Sequence, residues 1–504
     1  MIQSKTLIWL FLIPMISAVI VYISGRISAK KDTPGPNNAA WLCVAAIILT
    51  AIPFGVAMNS VLTKGALALT VGKVTLQFDG ISGIMTLTAL LLGLAVVLFS
   101  ADYMSNDPGQ EKFYALIMIL LTSIIGLSTS TDLFNIYIWF ELMAVSTYSL
   151  VAFYRDRVTS LEAGIKYLVQ SASGSALIIL GVAITFGTTG EISMASIPAL
   201  IATSKSAAIA AGACFIIGYG IKCAFVPLHF WLPDAHSQAP SGISALLSGI
   251  VIETGLVALL RTLSALSPFA TAFGNVFLIF GVFNMVIGNL GALRQKEIKR
   301  MFAFSSISHM GYIALGIGFT LTFGKSSVLA SEGVFFHIFT HATMKGLAFL
   351  AAGAIVYNLK LAKGDHSPLM VDDLNGLSQR YPFYALLFSV AVLALGGLPP
   401  LSGFMSKWQI FAGGAASKNL WAILLVVFAG INSVLSLGYY APLVNRIYRH
   451  QPSESAEAGL PGIPAAMSLS LIILAVFVIS LGLAPAILSH ITNSAANALY
   501  AMFF

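Results

Sequence analysis

The stretch IKCAFVPLHFWLPDAHSQAP, residues 221–240, decides how this chain folds. An apolar run that begins near residue 207 reaches into it, and Lys222, Pro227 and Pro233 interrupt that run. Proline lacks a backbone N–H and ends or kinks a helix. Irregular backbone at membrane depth is tolerated only where protein or a water-filled cavity satisfies its polar groups. The stretch therefore predicts a broken helix beside a polar path through a membrane.

A second stretch has the same features. GGLPPLSGFMSK, residues 396–407, combines Pro399 and Pro400 with Lys407. Paired interrupted segments in the two halves of a chain indicate inverted repeats around a transport path. Simple kinking is the alternative, but a lysine beside each break favours a functional site.

The composition of the whole chain indicates a membrane protein. Of its 504 residues, 58% are hydrophobic and only 9% are charged, whereas soluble domains carry about 25% charged residues. The net charge of +7 does not indicate nucleic-acid binding, because the basic residues lie in short loops between apolar runs. Cys43, Cys214 and Cys223 lack the spacing of a zinc, haem or iron–sulfur motif, so we expect no metal or cofactor in this chain.

Apolar runs of about 18 residues or more predict transmembrane helices. The expected fold is therefore an all-α polytopic membrane protein of about fourteen transmembrane helices. The first run is long enough to span and thirteen others follow it, so it is not interpreted as a signal peptide. The predicted spans are 6–24, 40–62, 80–101, 113–129, 133–154, 163–187, 207–230, 241–262, 270–293, 302–323, 333–358, 381–410, 420–447 and 465–488.

The basic residues of the loops predict the orientation. Loops that follow odd-numbered spans hold 15 Lys and Arg residues, and the segments on the opposite side hold 7. This difference predicts that both termini lie on the outer side of a cell membrane and that the loop 294–300 lies on the inner side.

Several ionisable residues fall inside the predicted spans. A charge at the bilayer centre costs at least ~2.5 kcal/mol, so such a residue usually faces a partner or a hydrated path. A single one could form a structural ion pair, but the whole set is better explained by a pathway for protons or another small cation. The set consists of Glu141, Lys166, Lys222, Glu253, His337, His341, Lys345 and Lys407.

Three of these groups lie in HIFTHATMK, residues 337–345. Their spacing of four residues puts them on one stripe of a helix. No carboxylate or third soft ligand lies nearby in the sequence, so a hydrated line of titratable groups is favoured over a metal site.

A buried lysine can serve as a proton relay rather than a fixed charge. A carboxylate close to Lys222 would favour its protonated form, and separation of the two would favour release of the proton. We therefore expect Glu141 to lie within pairing or single-water distance of Lys222.

Several segments together resemble the antiporter-like subunits of respiratory complex I. The family also includes subunits of membrane-bound hydrogenases and of multisubunit Mrp Na⁺/H⁺ antiporters. The likeness covers residues 78–447. It is carried by Phe78–Ser82, Trp139–Val169, Ile221–Arg261, Glu297–Gly318, His337–Gly353 and Gly397–Lys407.

This resemblance implies proton movement along a hydrated axis at mid-membrane, with no cofactor in this subunit. It implies as partners related antiporter-like membrane subunits and a redox arm. It also implies two inverted repeats of five helices each, with helices seven and twelve broken. The implied division is helices 1–3 in residues 1–112, a first repeat in 113–262, a second repeat in 263–447 and helix fourteen in 448–504.

The resemblance also implies roles for single residues. Glu141 matches a glutamate that tunes the lysine at Lys222. Lys345 matches the residue that connects the two halves, with His337 and His341 beside it, and Lys407 matches a charge near the far exit. Lys166 and His229 are expected to be accessory to the path.

One position departs from the family pattern. Glu253 stands where many members carry lysine or histidine, which replaces a cationic relay by an acidic one. The alternative is that Glu253 pairs with Lys222 or Lys345. The chain also ends at Phe504 with no amphipathic arm visible, as in the shorter subunits of the family.

The sequence is compatible with two transport functions and with a structural role. The chain is expected to be the proton-translocating subunit of a redox-driven complex, complex I-like or hydrogenase-like, with the electron transfer in its partners. The alternative is a subunit of an Mrp-type Na⁺/H⁺ antiporter. A membrane scaffold that no longer transports is disfavoured by the retained residues Glu141, Lys222, Lys345 and Lys407.

Overall fold

A computed structural model describes residues 2–29, 38–72, 74–363, 368–458 and 462–504. Within these ranges the protein consists of α-helices, short 3-10 and π-helical turns, and one two-stranded hairpin. The helices of the first part are α1 Ile2–Ala29, α2 Asn38–Lys64, α3 Gly80–Tyr103, α4 Gln110–Thr129, α5 Leu133–Val151, α6 Val158–Thr189 and α7 Ile197–Ile201.

The helices continue through the two interrupted stretches. The middle set is α8 Lys205–Lys222, α9 Trp231–Gln238, α10 Ser241–Leu246, α11 Ile252–Ser264, α12 Ala270–Leu293, α13 Ile298–Phe323 and α14 Val328–Lys363. The last set is α15 Leu377–Arg380, α16 Pro382–Gly396, α17 Ser402–Ala416, α18 Leu420–Ile447, α19 Glu454–Ala458, α20 Ala465–Leu483 and α21 Ser489–Phe503.

Ten helical stretches among the described residues are long and apolar enough to cross a membrane. One of them, Ile298–Leu359, contains α13 and most of α14. The helix breaks shorten others, because α8 ends at Lys222 and α16 ends at Gly396. A membrane-embedded all-helical fold is therefore confirmed, while the expected number of fourteen spans stays a prediction.

A hairpin between α2 and α3 was not expected from the sequence. Strands β1 Leu67–Val71 and β2 Val74–Phe78 pair antiparallel, with Leu67 opposite Phe78. Asp79 follows directly and caps α3 by accepting a hydrogen bond from the Ser82 backbone N–H at 2.9 Å.

The C-terminal segment also differs from the expectation. Span fourteen, on α20, is followed by the further helix α21, which packs against α3 and α14. Buried residues such as Leu499 attach it to the bundle. The expected division assigned this segment to helix fourteen, so α21 is an additional element.

The first break has its freed backbone groups satisfied by a neighbouring helix. Asn284 on α12 accepts a hydrogen bond from the Val226 backbone N–H at 2.8 Å and donates one to the Ala224 carbonyl at 3.2 Å. The Trp231 indole donates to the Ile221 carbonyl at 2.7 Å. Protein groups thus replace the missing helical hydrogen bonds, as irregular backbone at membrane depth requires.

The second break brings two half-helices into close contact. Gly403 at the start of α17 lies against the Ala394 carbonyl oxygen, and any side chain there would collide with it. Lys407 on α17 reaches back to donate to the Leu395 carbonyl of α16 at 3.1 Å. The side chain of a buried lysine therefore joins the two halves of the break.

Candidate functional site

Lys222 is the last residue of α8 and is buried at the first break. Its ammonium donates to the Thr147 hydroxyl of α5 at 3.0 Å and to the Tyr167 hydroxyl of α6 at 2.5 Å. Trp231 of α9 stacks on the Tyr167 ring at 3.9 Å between centroids. Three helices thus hold one lysine whose only described hydrogen-bond partners are neutral hydroxyls.

Glu141 lies on α5 but makes no ion pair with Lys222 in the structure. The nearest polar contacts of Lys222 are Thr147 and Tyr167, and the buried Glu141 Oε1 atom has no hydrogen-bond partner among the described residues. Glu141 remains close enough to interact with Lys222 electrostatically. The direct pair is therefore not formed, and separation by a single water stays a prediction.

Glu253 on α11 is completely buried and pairs with histidine rather than lysine. Its Oε1 atom lies 2.6 Å from Nδ1 of His341 on α14. Its Oε2 atom has no partner among the described residues. The alternative of a direct ion pair with Lys222 or Lys345 is therefore wrong for this structure, because His341 occupies the position beside the carboxylate.

Three histidines extend from this carboxylate towards the second break. The rings of His341 and His309 are 4.8 Å apart, and His309 Nδ1 lies 3.1 Å from His337 Nε2. His337 Nδ1 lies 2.8 Å from the Ser406 hydroxyl, next to Lys407 in sequence. We call the series Glu253, His341, His309, His337 and Ser406 the acid–histidine chain.

Two further lysines flank this chain. Lys345 donates to the Ser305 hydroxyl at 2.6 Å and to the Phe302 carbonyl at 2.7 Å. Lys407 donates to the Ser433 hydroxyl at 3.0 Å. Both are buried and, like Lys222, are bonded to neutral oxygens rather than to carboxylates.

Sequence reasoning missed His309. It lies in the segment SSISHMGY on α13, inside the predicted span 302–323, and is buried. A histidine inside a predicted span is the same signal that identified His337, so it could have been found. Its role as the link between His337 and His341 depends on the packing of α13 against α14, which the sequence does not display.

His236 on α9 was also missed. It is buried, stacks on Phe349 at 4.8 Å, and neither ring nitrogen has a partner among the described residues. Lys345 precedes Phe349 by one helical turn on α14. An unpartnered buried imidazole beside a buried lysine is a candidate member of the same path.

The two accessory residues lie in different environments. Lys166 is 50% exposed and pairs with Glu162 at 2.8 Å and Asp234 at 3.1 Å. The expectation that it is a charge buried in the membrane interior is therefore wrong, because it lies near the start of α6 within a surface ion-pair cluster. His229 is buried in the break, and its Nδ1 atom has no described partner.

Polar cavities lie near both ends of the bundle. One of about 470 Å³ is lined by Ser237, Gln238 and Lys299, and Lys299 donates to the Ala239 carbonyl at 2.5 Å. The other, of about 580 Å³, is lined by Asp79 and Arg261, which form a buried ion pair at 2.8 Å. The first cavity is also lined by Tyr154, which follows α5, and the second by Thr131, which precedes α5. The two cavities therefore lie near opposite ends of this helix.

The described residues contain no group of three or more His, Cys, Asp or Glu side chains arranged to hold a metal ion. The structure does bring a carboxylate to the histidines of α14, which the sequence had not suggested. The arrangement is a continuous series of contacts, which suits stepwise proton transfer between neighbours.

Comparisons with known proteins cover almost the whole chain. Residues 130–433 match the family described as NADH:quinone oxidoreductase/Mrp antiporter, transmembrane. Residues 69–114 match the N-terminus of chain 5 of NADH–ubiquinone oxidoreductase, complex I.

Two curated relatives illustrate the similarity. The chain is 33% identical to the F(420)H(2) dehydrogenase subunit N of Methanosarcina mazei, over 87% of each chain. It is 32% identical to the NADH-quinone oxidoreductase subunit N 2 of Symbiobacterium thermophilum, over 78% of each chain.

Solved structures share the fold. A chain of the membrane-bound sulfane sulfur reductase, an archaeal respiratory membrane complex, aligns with a TM-score of 0.86 and 26% identity, over 99% of this chain and 98% of that one. A chain of the Mrp complex from a Dietzia species aligns over 100% of both chains with a TM-score of 0.84. Its identity is only 21%, so this second likeness concerns the fold alone.

Proposed function

This chain belongs to the NADH:quinone oxidoreductase/Mrp antiporter family of membrane subunits, and we propose on that premise that it moves protons across a membrane as part of a redox-driven complex. The observation that carries the proposal is the acid–histidine chain. It joins a buried carboxylate to the second helix break through hydrogen bonds and ring contacts. Apolar helices surround it, so it is insulated from lipid.

The route that we propose begins at the cavity lined by Ser237 and Lys299. His236, whose neighbour in sequence is Ser237, is buried with two unpartnered ring nitrogens and can pass a proton from this cavity towards Lys345. From Lys345 the proton reaches the acid–histidine chain, which leads towards Lys407. Each step joins groups that can bind and release a proton, as stepwise transfer requires.

Lys222 and Glu141 form the corresponding unit of the first half. Lys222 is held by two hydroxyls, and α11 lies directly against it, since a Cβ on Gly255 would be 3.0 Å from the Lys222 Cβ. Glu253 is two residues from this contact on the same helix. The helix that carries Glu253 therefore packs against the backbone and side chain of Lys222.

The architecture that accompanies this function has fourteen spans. We propose that residues 113–262 and 263–447 form the two inverted repeats, with residues 1–112 before them and 448–504 after them. Both repeats contain one interrupted helix with a buried lysine, Lys222 in one and Lys407 in the other. We also propose a cell membrane location with both termini on the outer side.

The partners in this proposal are other antiporter-like membrane subunits and a redox arm that holds the cofactors. The relatives of higher identity are named as subunits of an F(420)H(2) dehydrogenase and of an NADH-quinone oxidoreductase. The Mrp structure is less similar in sequence. These differences favour the redox-driven complex over the antiporter.

The test is proton movement by the intact complex in proteoliposomes. We expect Lys222→Ala to assemble normally but to reduce proton uptake to about a tenth or less, because a relay by proton transfer is lost. Quenching of a pH-sensitive dye, measured per electron transferred, reports the coupling. Lys296→Gln, which changes an exposed lysine, is the matched control and should pump at the wild-type rate.

The subunits that purify with this chain distinguish a redox-driven complex from an Mrp-type antiporter. Co-purification of flavin-, iron–sulfur- or quinone-site subunits supports the redox-driven complex, whereas co-purification of small membrane subunits alone supports the antiporter. Full pumping by Lys222→Ala would refute the relay in either case.

A further inference from the structure

A groove among the N-terminal helices lies outside the proposed proton path. It encloses about 560 Å³, with α1 and α5 as its walls and α4 as its floor. Most of the lining is apolar and includes Met15, Val19, Leu116 and Leu142. The Val19 side chain is 58% exposed, so the groove opens at the outer surface of the bundle.

Two cations lie together at one end of this groove. Lys112 is in the first turn of α4, and Arg155 follows the C-terminal end of α5. No acidic residue is among the described residues that line the groove. The neighbouring Glu111 is buried and faces Arg26 of α1 at 3.7 Å, so its charge is engaged elsewhere.

The length of the groove matches one leaflet of a bilayer. Its floor on α4 extends from Lys112 to Thr122, which is about 15 Å at 1.5 Å per residue. The hydrocarbon core is about 30 Å thick. Tyr22 lines the cationic end and is partly exposed, as is typical of aromatic residues at the membrane–water interface.

We propose that this groove binds one anionic phospholipid, with the headgroup phosphate between Lys112 and Arg155 and an acyl chain along α4 between α1 and α5. Basic pockets between transmembrane helices bind acidic headgroups, and the two cations supply that charge. The apolar lining residues would contact the acyl chain of the lipid. A free phosphate ion would leave these apolar residues without a partner. The two cations meet no acidic side chain among the described lining residues, so an acidic headgroup suits that end better than the apolar face of a partner helix.

The test uses the purified full-length chain in detergent and native mass spectrometry. The probes are phosphatidylglycerol and phosphatidylcholine with identical acyl chains, together with inorganic phosphate. We expect the wild type to prefer phosphatidylglycerol. The double variant Lys112→Gln, Arg155→Gln should lose roughly tenfold or more in affinity for phosphatidylglycerol, the scale expected for two cations near an acidic headgroup, and should bind phosphatidylcholine unchanged.

A matched pair of substitutions controls for general charge. Arg294→Gln with Lys296→Gln removes two exposed cations from a loop that does not line the groove, and phosphatidylglycerol binding should not change. An equal loss in this control would overturn the proposal. So would inorganic phosphate that displaces phosphatidylglycerol at equal concentration, because the site would then recognise the anion alone.

A second variant tests the apolar part and keeps both cations. Val19→Trp changes an exposed side chain, so folding should tolerate it, and the indole should occupy the groove. Binding of both lipids should then fall roughly tenfold. Undiminished binding of phosphatidylglycerol to Val19→Trp would show that the acyl chain lies elsewhere and would overturn the proposal, whether or not the double cation variant folds.

Discussion

At the scale of single residues, the buried groups differ in the kind of partner that they have. Lys222, Lys345 and Lys407 donate to hydroxyl or carbonyl oxygens. Glu253 instead contacts an imidazole, His341. A carboxylate and an imidazole can share one proton between two atoms, so this pair can receive a proton without creating an isolated charge. The acid at this position therefore supports transfer through histidines.

The role of Glu253 can be tested with an isosteric amide. Glu253→Gln keeps the shape and the contact with His341 but removes the site that binds the proton. We expect the assembled complex to lose at least about tenfold in proton uptake per electron. Unchanged uptake in proteoliposomes would reduce Glu253 to a structural polar group.

His309 provides an independent test, because its ring is 4.8 Å from that of His341 and its Nδ1 lies 3.1 Å from His337 Nε2, whereas the rings of His337 and His341 are 5.8 Å apart. His309→Phe keeps an aromatic ring of similar size but removes both nitrogens, so we expect a loss of proton uptake of about tenfold or more. His450→Phe, in a polar connection far from this chain, is the control. Equal rates for the two variants would show that proton transfer does not need His309 and would leave the direct contact of His341 with His337 as the route.

The sequence identified most of the buried ionisable groups, but not how they are connected. Glu253 and His341 are 88 residues apart, and His309 and His337 are 28 apart. Their contacts arise from the packing of α11, α13 and α14, which no local pattern encodes. Lys166 was wrongly placed in the membrane interior because its local sequence is apolar. Its position near the start of α6, however, lets it reach Asp234.

At the scale of elements, proline predicted the two breaks and periodic apolar runs predicted the long helices. The hairpin β1–β2 and helix α21 were missed. The hairpin occupies residues 67–78, in the connection between two predicted spans, and is too short to give a membrane signal. Helix α21 contains polar residues such as His490 and Asn493, so its run is not continuously apolar.

Two backbone groups of the first break are satisfied by one asparagine, which gives a prediction for this element. Asn284→Leu leaves the Val226 N–H and the Ala224 carbonyl without their partner. Each unsatisfied buried group costs roughly 1–3 kcal/mol, so the purified protein should unfold at a markedly lower temperature. Ser173→Ala, an exposed residue bonded within its own helix, is the control. Equal unfolding temperatures would mean that other groups satisfy the break.

At the scale of the whole molecule, the direction of transport depends on orientation. The cavity lined by Lys299 and the cavity lined by the Asp79–Arg261 pair are near opposite ends of the bundle. If the basic loop 294–300 lies inside, protons enter at the Lys299 cavity from the inner side. A reversed orientation would place the Lys299 cavity on the outer side without changing any contact in the acid–histidine chain.

Labelling from one side of the membrane decides between these orientations. Lys205 and Lys296 are both exposed and lie on opposite sides according to the excess of basic residues in alternate loops. We expect Lys205→Cys in intact cells to react with a membrane-impermeant maleimide, and Lys296→Cys to react only after the membrane is permeabilised. The unsubstituted chain gives the background from Cys43, Cys214 and Cys223. The reverse pattern would contradict the proposed orientation and would place the Lys299 cavity on the outer side of the membrane.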